Sequence, residues 1–355
     1  MGILRLIFAL SVVAGHTNGI VIWKGPGGLV AVQCFYIISG YYMAFVLDKK
    51  YNSSPIRSFY LSRYFRLFPI YIITLLLYFF AAFLLTSFAK IPLSRFGAIS
   101  LWRTMSENHV EFIFTVLSNI FIFGQDIFMF LGVGSDGFFF TENFRSVSPA
   151  YPLLVLPQCW TLGVELLFYM VAPFIVKGNI RRIYVLAAIS IALRLFFYSA
   201  GFMYDPWVYR FFPFELALFL FGSGAYRLYS KFSHIDVYNN IYAVALSIAI
   251  LAFCIEYLPR LSFEWKLVLY FIFSLTLPCL FRISKNSAVD RYIGEYSYPI
   301  YVAHIPIIRV LMSLGFNHQN LGAWVTALSI CLSLALIHLV QIPVDRYRSS
   351  AFSSR

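Results

Sequence analysis

The feature that most constrains this chain is a series of ten apolar runs, each about 17–24 residues long. At a helical rise of 1.5 Å per residue, each run can cross a hydrocarbon layer of about 30 Å. Only 12% of the 355 residues are charged, about half of the share in soluble domains, so a soluble fold could not hide this apolar surface. The sequence therefore predicts an all-α, polytopic membrane protein with about ten transmembrane helices. The runs lie at 3–22, 28–47, 67–88, 153–176, 183–200, 211–227, 240–257, 265–282, 298–315 and 323–341.

The distribution of positive charge indicates how the runs are oriented. The formal net charge is +12. If the N-terminus is cytoplasmic, sixteen Lys and Arg residues fall on the short inner loops and the C-terminal tail, against four on the short outer loops. This bias follows the positive-inside rule and explains the charge without a nucleic-acid partner. We predict cytoplasmic termini, a membrane domain over 1–345 and a cytoplasmic tail over 346–355.

A further apolar stretch, 112–131, is interrupted by Asn119, Gln125 and Asp126. Counting it as a span would invert the orientation of everything after it and remove the charge bias. We predict instead that 89–152 is a long outer segment, in which 112–131 forms a re-entrant or interfacial helix.

The cysteines predict neither disulfides nor a metal site. The five of them are scattered in or beside apolar runs, and no C-x-x-C pair occurs. Such cysteines are typical of small apolar core residues. No metal is expected.

The first run carries two ionisable residues, Arg5 and His16. A charge inside a span costs about 2.5–3.5 kcal/mol on insertion scales, which makes such residues functional candidates. Eleven residues separate the two, so both side chains share one helical face, about 16 Å apart along the axis. They could form a track for an anionic ligand with a long uncharged arm. The alternative is a snorkelling arginine and a hydrogen-bonded core histidine.

Other polar residues have two interpretations each. Arg63 and Arg66 lie on one helical face and could grip phosphate, or could simply belong to the positive-inside cluster. Glu165, near the outer start of its run, could orient a neutral histidine or cap a helix. Arg194 and Glu215 on consecutive runs are expected to form a structural pair.

Together these elements resemble the membrane-bound acyltransferase 3 family. Arg5 and His16 match the family's basic residue and histidine in the first span, and Arg63 and Arg66 match its R-x-x-R element. Residues 34–41, which include Ser39, match its Ser-Gly-aromatic signature. Residues Trp160 to Glu165 match its Trp-Ser-Leu-x-x-Glu element, with Thr161 replacing Ser. Its Ser-Tyr…Tyr…His-x-Pro stretch is matched by Ser297, Tyr298, Tyr301, His304 and Pro306.

The resemblance implies an O-acyltransferase of the bacterial inner membrane. Family members transfer acyl groups, most often acetyl, from cytoplasmic acyl-CoA to extracytoplasmic sugars such as O-antigen, capsule, exopolysaccharide or peptidoglycan. It implies that the donor phosphates bind Arg63 and Arg66, with Arg5 nearby. His16 would act as a base or as an acyl acceptor, and Glu165 would stabilise or orient its ring. The residues expected to contact substrate are Ser39, Trp160, Tyr301 and His304.

Several alternatives stay open at this point. Ten spans with buried charges also suit a transporter or flippase of a lipid-linked saccharide. The acyl group could be succinyl instead of acetyl, and the acceptor could be lipid-linked. A homo-oligomer is compatible with the sequence.

Overall fold

The computed structural model describes residues 1–102, 109–135, 137–143, 145, 148–232, 241–316 and 320–352, and most of them are helical. Each predicted run overlaps a helix. The helices are α1 Gly2–His16, α2 Gly28–Lys49, α3 Ile56–Ser87, α4 Ala98–Trp102, α5 His109–Phe121, α6 Trp160–Ile175, α7 Ile180–Ser199, α8 Trp207–Arg210, α9 Phe212–Phe232, α10 Ile241–Tyr257, α11 Phe263–Ser284, α12 Ala288–Glu295, α13 Ser297–Ser313, α14 Leu321–Leu336 and α15 Ile342–Phe352.

A helical membrane protein accounts for these elements. Within the described ranges, six helical stretches are long and apolar enough to cross a membrane by length and composition. The count of ten spans and their orientation stay predictions. The six stretches are Gly28–Lys49, Ile56–Ser87, Pro157–Ile175, Ile241–Arg260, Glu264–Ser284 and Leu321–Ser350.

The first helix ends earlier than the apolar run predicts. The run extends to residue 22, but α1 stops at His16. Asn18 and Gly19 have positive φ angles of 60° and 116°, and the Gly19 amide donates to the Ala14 carbonyl oxygen at 2.8 Å. A left-handed turn of this kind ends a helix. His16 is therefore the last residue of α1 and lies at the end of the bundle, where it is exposed.

Helix α2 runs through the centre of the bundle and packs closely on α9. A Cβ atom added to Gly40 would lie 1.9 Å from the Phe219 carbonyl oxygen, and one added to Gly222 would lie 1.8 Å from that of Ile37. Only glycines allow this approach, which small residues typically provide between membrane helices. The contact fixes the face of α2 that carries Gln33, Tyr36 and Ser39.

A buried polar cluster joins four helices at the same depth. The Arg194 Nη1 to Glu215 Oε1 distance is 3.2 Å, which confirms the pair expected from the sequence. Gln33 donates to both Glu215 oxygens, and the Tyr270 hydroxyl donates to Gln33 Oε1 at 2.7 Å. Because a buried charge is stable only with partners, this cluster has a structural role.

The outer segment differs from the prediction. Helix α5 covers only the first half of 112–131; strands β1 Leu131–Gly134 and β2 Gly137–Phe140 then form an antiparallel hairpin. Positive φ angles at Ile122 and Gly124, 72° and 82°, end the helix. The interrupting polar residues face inward: Asn119 Oδ1 accepts from the Val155 amide at 2.7 Å, and Gln125 donates to Tyr71.

The chain continues as helix across the predicted tail boundary at 345/346. A five-residue π-helical segment, Ile337–Gln341, links α14 to α15. The Tyr347 ring of α15 contacts the Phe65 ring of α3 at a centroid distance of 5.9 Å. The first residues of the predicted tail therefore pack on the bundle beside the R-x-x-R element.

Candidate active site

One cavity of about 460 Å³ runs into the bundle between α1, α2, α3, α6, α11, α12 and α13. One end, here called the basic end, carries Arg5, Arg63, Arg66, Lys285 and Arg291. Three of these side chains are the predicted donor-binding residues, so the structure brings them together from two separate helices. The opposite end of the cavity is closed by Thr161 and Tyr301.

The arginines at the basic end differ in their partners. Arg66 contacts Glu295 at 3.3 Å, whereas in the described part of the chain neither Arg5 nor Arg63 has a carboxylate within salt-bridge distance. Arg63 Nε is buried and has no hydrogen-bond partner there. Burial acts to raise the pKa of the Glu295 carboxyl, but Arg66 and Arg5 hold it below its usual value. Two guanidinium groups without a direct carboxylate contact in the described chain can therefore bind an anion.

The start of α1 is fixed against α12. Asp290 accepts hydrogen bonds from the Gly2 amide at 2.7 Å and the Ile3 amide at 3.0 Å, and so caps two free amides of the helix. A Cβ atom on Gly2 would lie 1.7 Å from the Asp290 carbonyl oxygen. These contacts fix the position of α1, with Arg5 in the cavity wall and His16 about 16 Å further along the helix axis.

Glu165 lies in the cavity wall and not beside His16. Its Oε1 accepts from the Ser39 hydroxyl at 2.6 Å and from the Tyr169 hydroxyl at 2.5 Å. Five residues separate Glu165 from Trp160 at the start of α6, which places it about 7.5 Å closer to the basic end. The expected contact with His16 is therefore not made, and the expectation that Glu165 orients that ring is corrected. Ser39 contacts Glu165 in the same wall.

His304 takes the place beside His16 that the sequence suggested for Glu165. The His304 Nε2 to His16 Nδ1 distance is 3.3 Å, and the ring centroids are 5.0 Å apart. His304 is fully buried, while His16 is exposed. The structure thus joins the first and thirteenth helices at a pair of imidazoles.

Backbone carbonyls assign the tautomers of both rings. His304 Nδ1 lies 2.7 Å from the Tyr301 carbonyl oxygen, and His16 Nδ1 lies 2.9 Å from that of Val12. A carbonyl oxygen only accepts, so each neutral ring carries its proton on Nδ1. The single His16 Nδ1–H is then shared between the Val12 carbonyl oxygen at 2.9 Å and His304 Nε2 at 3.3 Å, and His16 Nε2 is left with a lone pair. That nitrogen can take a proton.

Three hydrogen bonds close the cavity just before the histidine pair. The Tyr301 hydroxyl donates to the Gln158 carbonyl oxygen at 2.7 Å and lies 2.6 Å from Thr161 Oγ1. Gln158 donates through Nε2 to the Val302 carbonyl oxygen at 2.6 Å. The Tyr301 and His304 ring centroids are 5.8 Å apart. His16 and His304 therefore lie behind this closure and do not line the described cavity.

Trp160 lies on the far side of the closure, with its ring covered by Arg210. The Arg210 guanidinium carbon is 4.4 Å from the ring centroid, a cation–π distance. Arg210 also donates two hydrogen bonds to the Asp205 carboxylate, at 2.6 and 2.8 Å, and lies within electrostatic reach of His16. Neither Arg210 nor Asp205 could be singled out from the sequence, since no short motif links them to His16.

The site contains no cluster suited to a metal. Among the residues that the structure describes, no group of three or more His, Cys, Asp or Glu side chains could hold a metal ion. The proposed reaction uses only side chains of the protein and the acyl donor.

Comparison with known proteins identifies the family. The acyltransferase 3 family profile, described as an acyltransferase domain, matches residues 1–340. The chain belongs to this family. Membership confirms the resemblance based on Arg5, His16 and the four other motifs, and places the chain in a family of membrane acyltransferases.

One curated relative of the acyltransferase also matches. It is the Bacillus subtilis (strain 168) protein named "Putative peptidoglycan O-acetyltransferase YrhL", which is 24% identical over 385 aligned residues. The alignment covers 99% of this chain but 55% of the relative, so the chain spans about half the length of that protein. No solved structure matches the chain.

Proposed function

We propose that this acyltransferase transfers an acetyl group from cytoplasmic acetyl-CoA to a hydroxyl of a saccharide on the other side of the bacterial inner membrane. The observation that carries the proposal is one cavity that begins among three arginines and ends one helical turn from a histidine pair. The basic end is assigned to the cytoplasm by the charge bias of the loops.

The basic end fits the nucleotide part of the donor. The phosphates of CoA carry several negative charges, and guanidinium groups bind phosphate by bidentate, charge-assisted hydrogen bonds. Arg5 and Arg63 are uncompensated there. Beyond them the wall is largely apolar, with Val32, Phe35 and Ile38, which suits an uncharged and slender pantetheine arm.

His16 supplies the base. The acceptor oxygen attacks the thioester carbonyl carbon while His16 Nε2 takes the hydroxyl proton. A C–O bond forms, the C–S bond breaks, and the proton is passed to the departing thiolate, which leaves as free CoA. His304 Nε2 accepts from His16 Nδ1–H, so it orients the ring and shares the positive charge of the imidazolium.

A covalent route uses the same nitrogen. His16 Nε2 could take the acyl group first and then pass it to the acceptor. The two routes differ in one observable: a covalent route leaves an acylated protein when acetyl-CoA is supplied without acceptor.

The exposed side of His16 is assigned to the acceptor. Arg210, Asp205 and Trp160 lie near it, and charged and aromatic groups of this kind can bind saccharides through hydroxyls and ring faces. The name of the Bacillus relative points to peptidoglycan; O-antigen, capsule and exopolysaccharide, free or lipid-linked, are the other candidate acceptors. A flippase without acyl chemistry would need no base beside the closure.

The test is acetyl transfer by purified protein in lipid nanodiscs, with His16→Ala compared with His109→Ala. His109 is exposed at the start of α5 and serves as the matched control. We expect His16→Ala to lower transfer by about 10²–10⁴-fold, the usual contribution of a positioned base, and His109→Ala to leave it unchanged. Near-normal transfer by folded His16→Ala would refute the assignment.

A further inference from the structure

At the closed end of the cavity, the Thr161 hydroxyl carries a proton that none of the described buried acceptors needs for its hydrogen bonding. Thr161 lines the cavity and is 6% exposed, and its Oγ1 lies 2.6 Å from the Tyr301 hydroxyl and 3.2 Å from the Gln158 carbonyl oxygen. Tyr301 has a single proton and donates it to Gln158 at 2.7 Å. The Gln158 carbonyl oxygen therefore already has a donor in Tyr301, and the Thr161 hydroxyl is only a second donor to these oxygens.

The hydrogen-bond count permits Thr161 to turn toward a ligand. If its hydroxyl rotates into the cavity, the Gln158 carbonyl oxygen still accepts from Tyr301. No buried acceptor is left without a partner, so the rotation avoids the penalty of an unmade hydrogen bond. Of the neighbouring wall residues, Val32, Phe35 and Leu162 have no side-chain donor, whereas Tyr36 carries a buried hydroxyl that competes with Thr161 for this role.

We propose that the Thr161 hydroxyl donates a hydrogen bond to the carbonyl oxygen of the acyl thioester, and that Tyr301 is a positioning residue that holds Thr161. The inference depends on the proposed donor, acetyl-CoA. When the acceptor attacks, negative charge grows on that carbonyl oxygen, so the hydrogen bond strengthens as the C–O bond forms; it weakens again when the C–S bond breaks and the carbonyl re-forms. One preorganised donor of this kind contributes about 10²–10³-fold to kcat.

The backbone links this donor to the histidine pair. The Tyr301 hydroxyl contacts Thr161, and the Tyr301 carbonyl oxygen accepts from His304 Nδ1 at 2.7 Å. One residue thus touches both the donor hydroxyl and the imidazole that orients His16.

Three variants separate the hydroxyl from the shape of residue 161 and from its partner. Thr161→Val keeps the shape and removes the hydroxyl; we expect kcat to fall about 10²-fold or more. Thr161→Ser keeps the hydroxyl and should retain activity close to that of the parent. Tyr301→Phe should lower kcat by about tenfold, because the Gln158 carbonyl oxygen then has only the Thr161 hydroxyl as a donor and holds the proton that the thioester would accept.

CoA binding distinguishes this inference from the proposed function. The affinity for CoA, which has no acyl carbonyl, is measured by calorimetry in nanodiscs and should be unchanged in all three variants. Failure of the parent protein to bind CoA would reject the proposed donor and the inference with it. Normal CoA binding with an unchanged kcat in Thr161→Val would reject the inference alone.

Tyr36 provides the internal comparison. It lines the same cavity and its hydroxyl is buried without a partner among the described residues. Tyr36→Phe removes this competing hydroxyl, and its kcat is compared with that of Thr161→Val. If it lowers kcat by the amount expected for Thr161→Val while Thr161→Val does not, the carbonyl is bound by Tyr36, and the assignment to Thr161 is wrong.

Discussion

The two ends of the cavity differ in charge: the basic end carries cations, and the closed end carries neutral, hydrogen-bonded groups. At the basic end, Arg5 and Arg63 are cations without carboxylate partners in the described chain, and binding there can be strong because an anion supplies the missing charge. At the closed end, Thr161, Tyr301 and His304 are neutral and hydrogen-bonded to one another or to backbone carbonyls. If the basic end binds the donor as proposed, affinity for the donor and catalysis of transfer come from separate groups, and variants should separate KM from kcat.

The largest effect in this comparison is expected at His304. His304→Ala removes one of the two acceptors of the His16 Nδ1–H and leaves only the Val12 carbonyl oxygen, so the His16 ring is held less firmly and kcat should fall on the order of 10²-fold. KM for acetyl-CoA should stay unchanged, because the basic end is not touched. Steady-state kinetics on folded protein give both values. His304→Gln, whose amide oxygen can replace Nε2 as acceptor, should recover part of the loss; equal loss in both variants would assign His304 to packing alone.

A smaller effect with the opposite signature is expected at Arg63. Arg63→Ala removes an uncompensated cation from the basic end, so KM for acetyl-CoA should rise about tenfold or more, the usual value of a charge-assisted hydrogen bond. The increase should shrink at high salt. Arg57→Ala is the matched control on the same helix, since Arg57 is exposed and does not line the cavity. An equal increase in both variants would return Arg63 to the positive-inside cluster.

The smallest effect is expected at the start of α1, the helix that carries both Arg5 and His16. Asp290→Asn weakens the cap on α1 and should lower the free energy of unfolding by about 0.5–2 kcal/mol, seen as a lower melting temperature in nanodiscs. Burial acts to raise the pKa of the Asp290 carboxyl, but hydrogen bonds from the Met1 ammonium and the Gly2 and Ile3 amides hold it below its usual value.

The sign of the pH dependence follows from that lowered pKa. A carboxyl with a depressed folded-state pKa contributes stability above its unfolded pKa and loses it as pH falls through the folded value. The difference between the parent and Asp290→Asn should be full at pH 7 and should shrink below about pH 4. A difference that grows on acidification would contradict this role of Asp290.

Sequence reasoning predicted the basic end well because charge and helical spacing are local. The eleven-residue spacing of Arg5 and His16 predicted one helical face, and the three-residue spacing of Arg63 and Arg66 predicted a second. Arg5, Arg63 and Arg66 line the cavity, and their roles in binding stay predictions. The apolar runs likewise predicted where the main helices lie, since burial in lipid follows from composition alone.

The closed end could not be predicted in the same way because its contacts are between distant parts of the chain. His16 and His304 are 288 positions apart, and Thr161 and Tyr301 are 140 apart. Glu165 was assigned to His16 from its chemistry, but the helical rise from Trp160 carries it toward Ser39. The β1–β2 hairpin was missed because its residues continue an apolar stretch that begins as helix.

The most direct test of the central claim uses sealed vesicles with the protein in one known orientation. Labelled acetyl-CoA is supplied only on the side of the basic end, and an impermeant saccharide acceptor only on the side of His16. If the cavity connects donor and acceptor across the bilayer, labelled ester should form on the acceptor, and His16→Ala should abolish it. Ester formation only when both substrates are present on the same side would contradict the account.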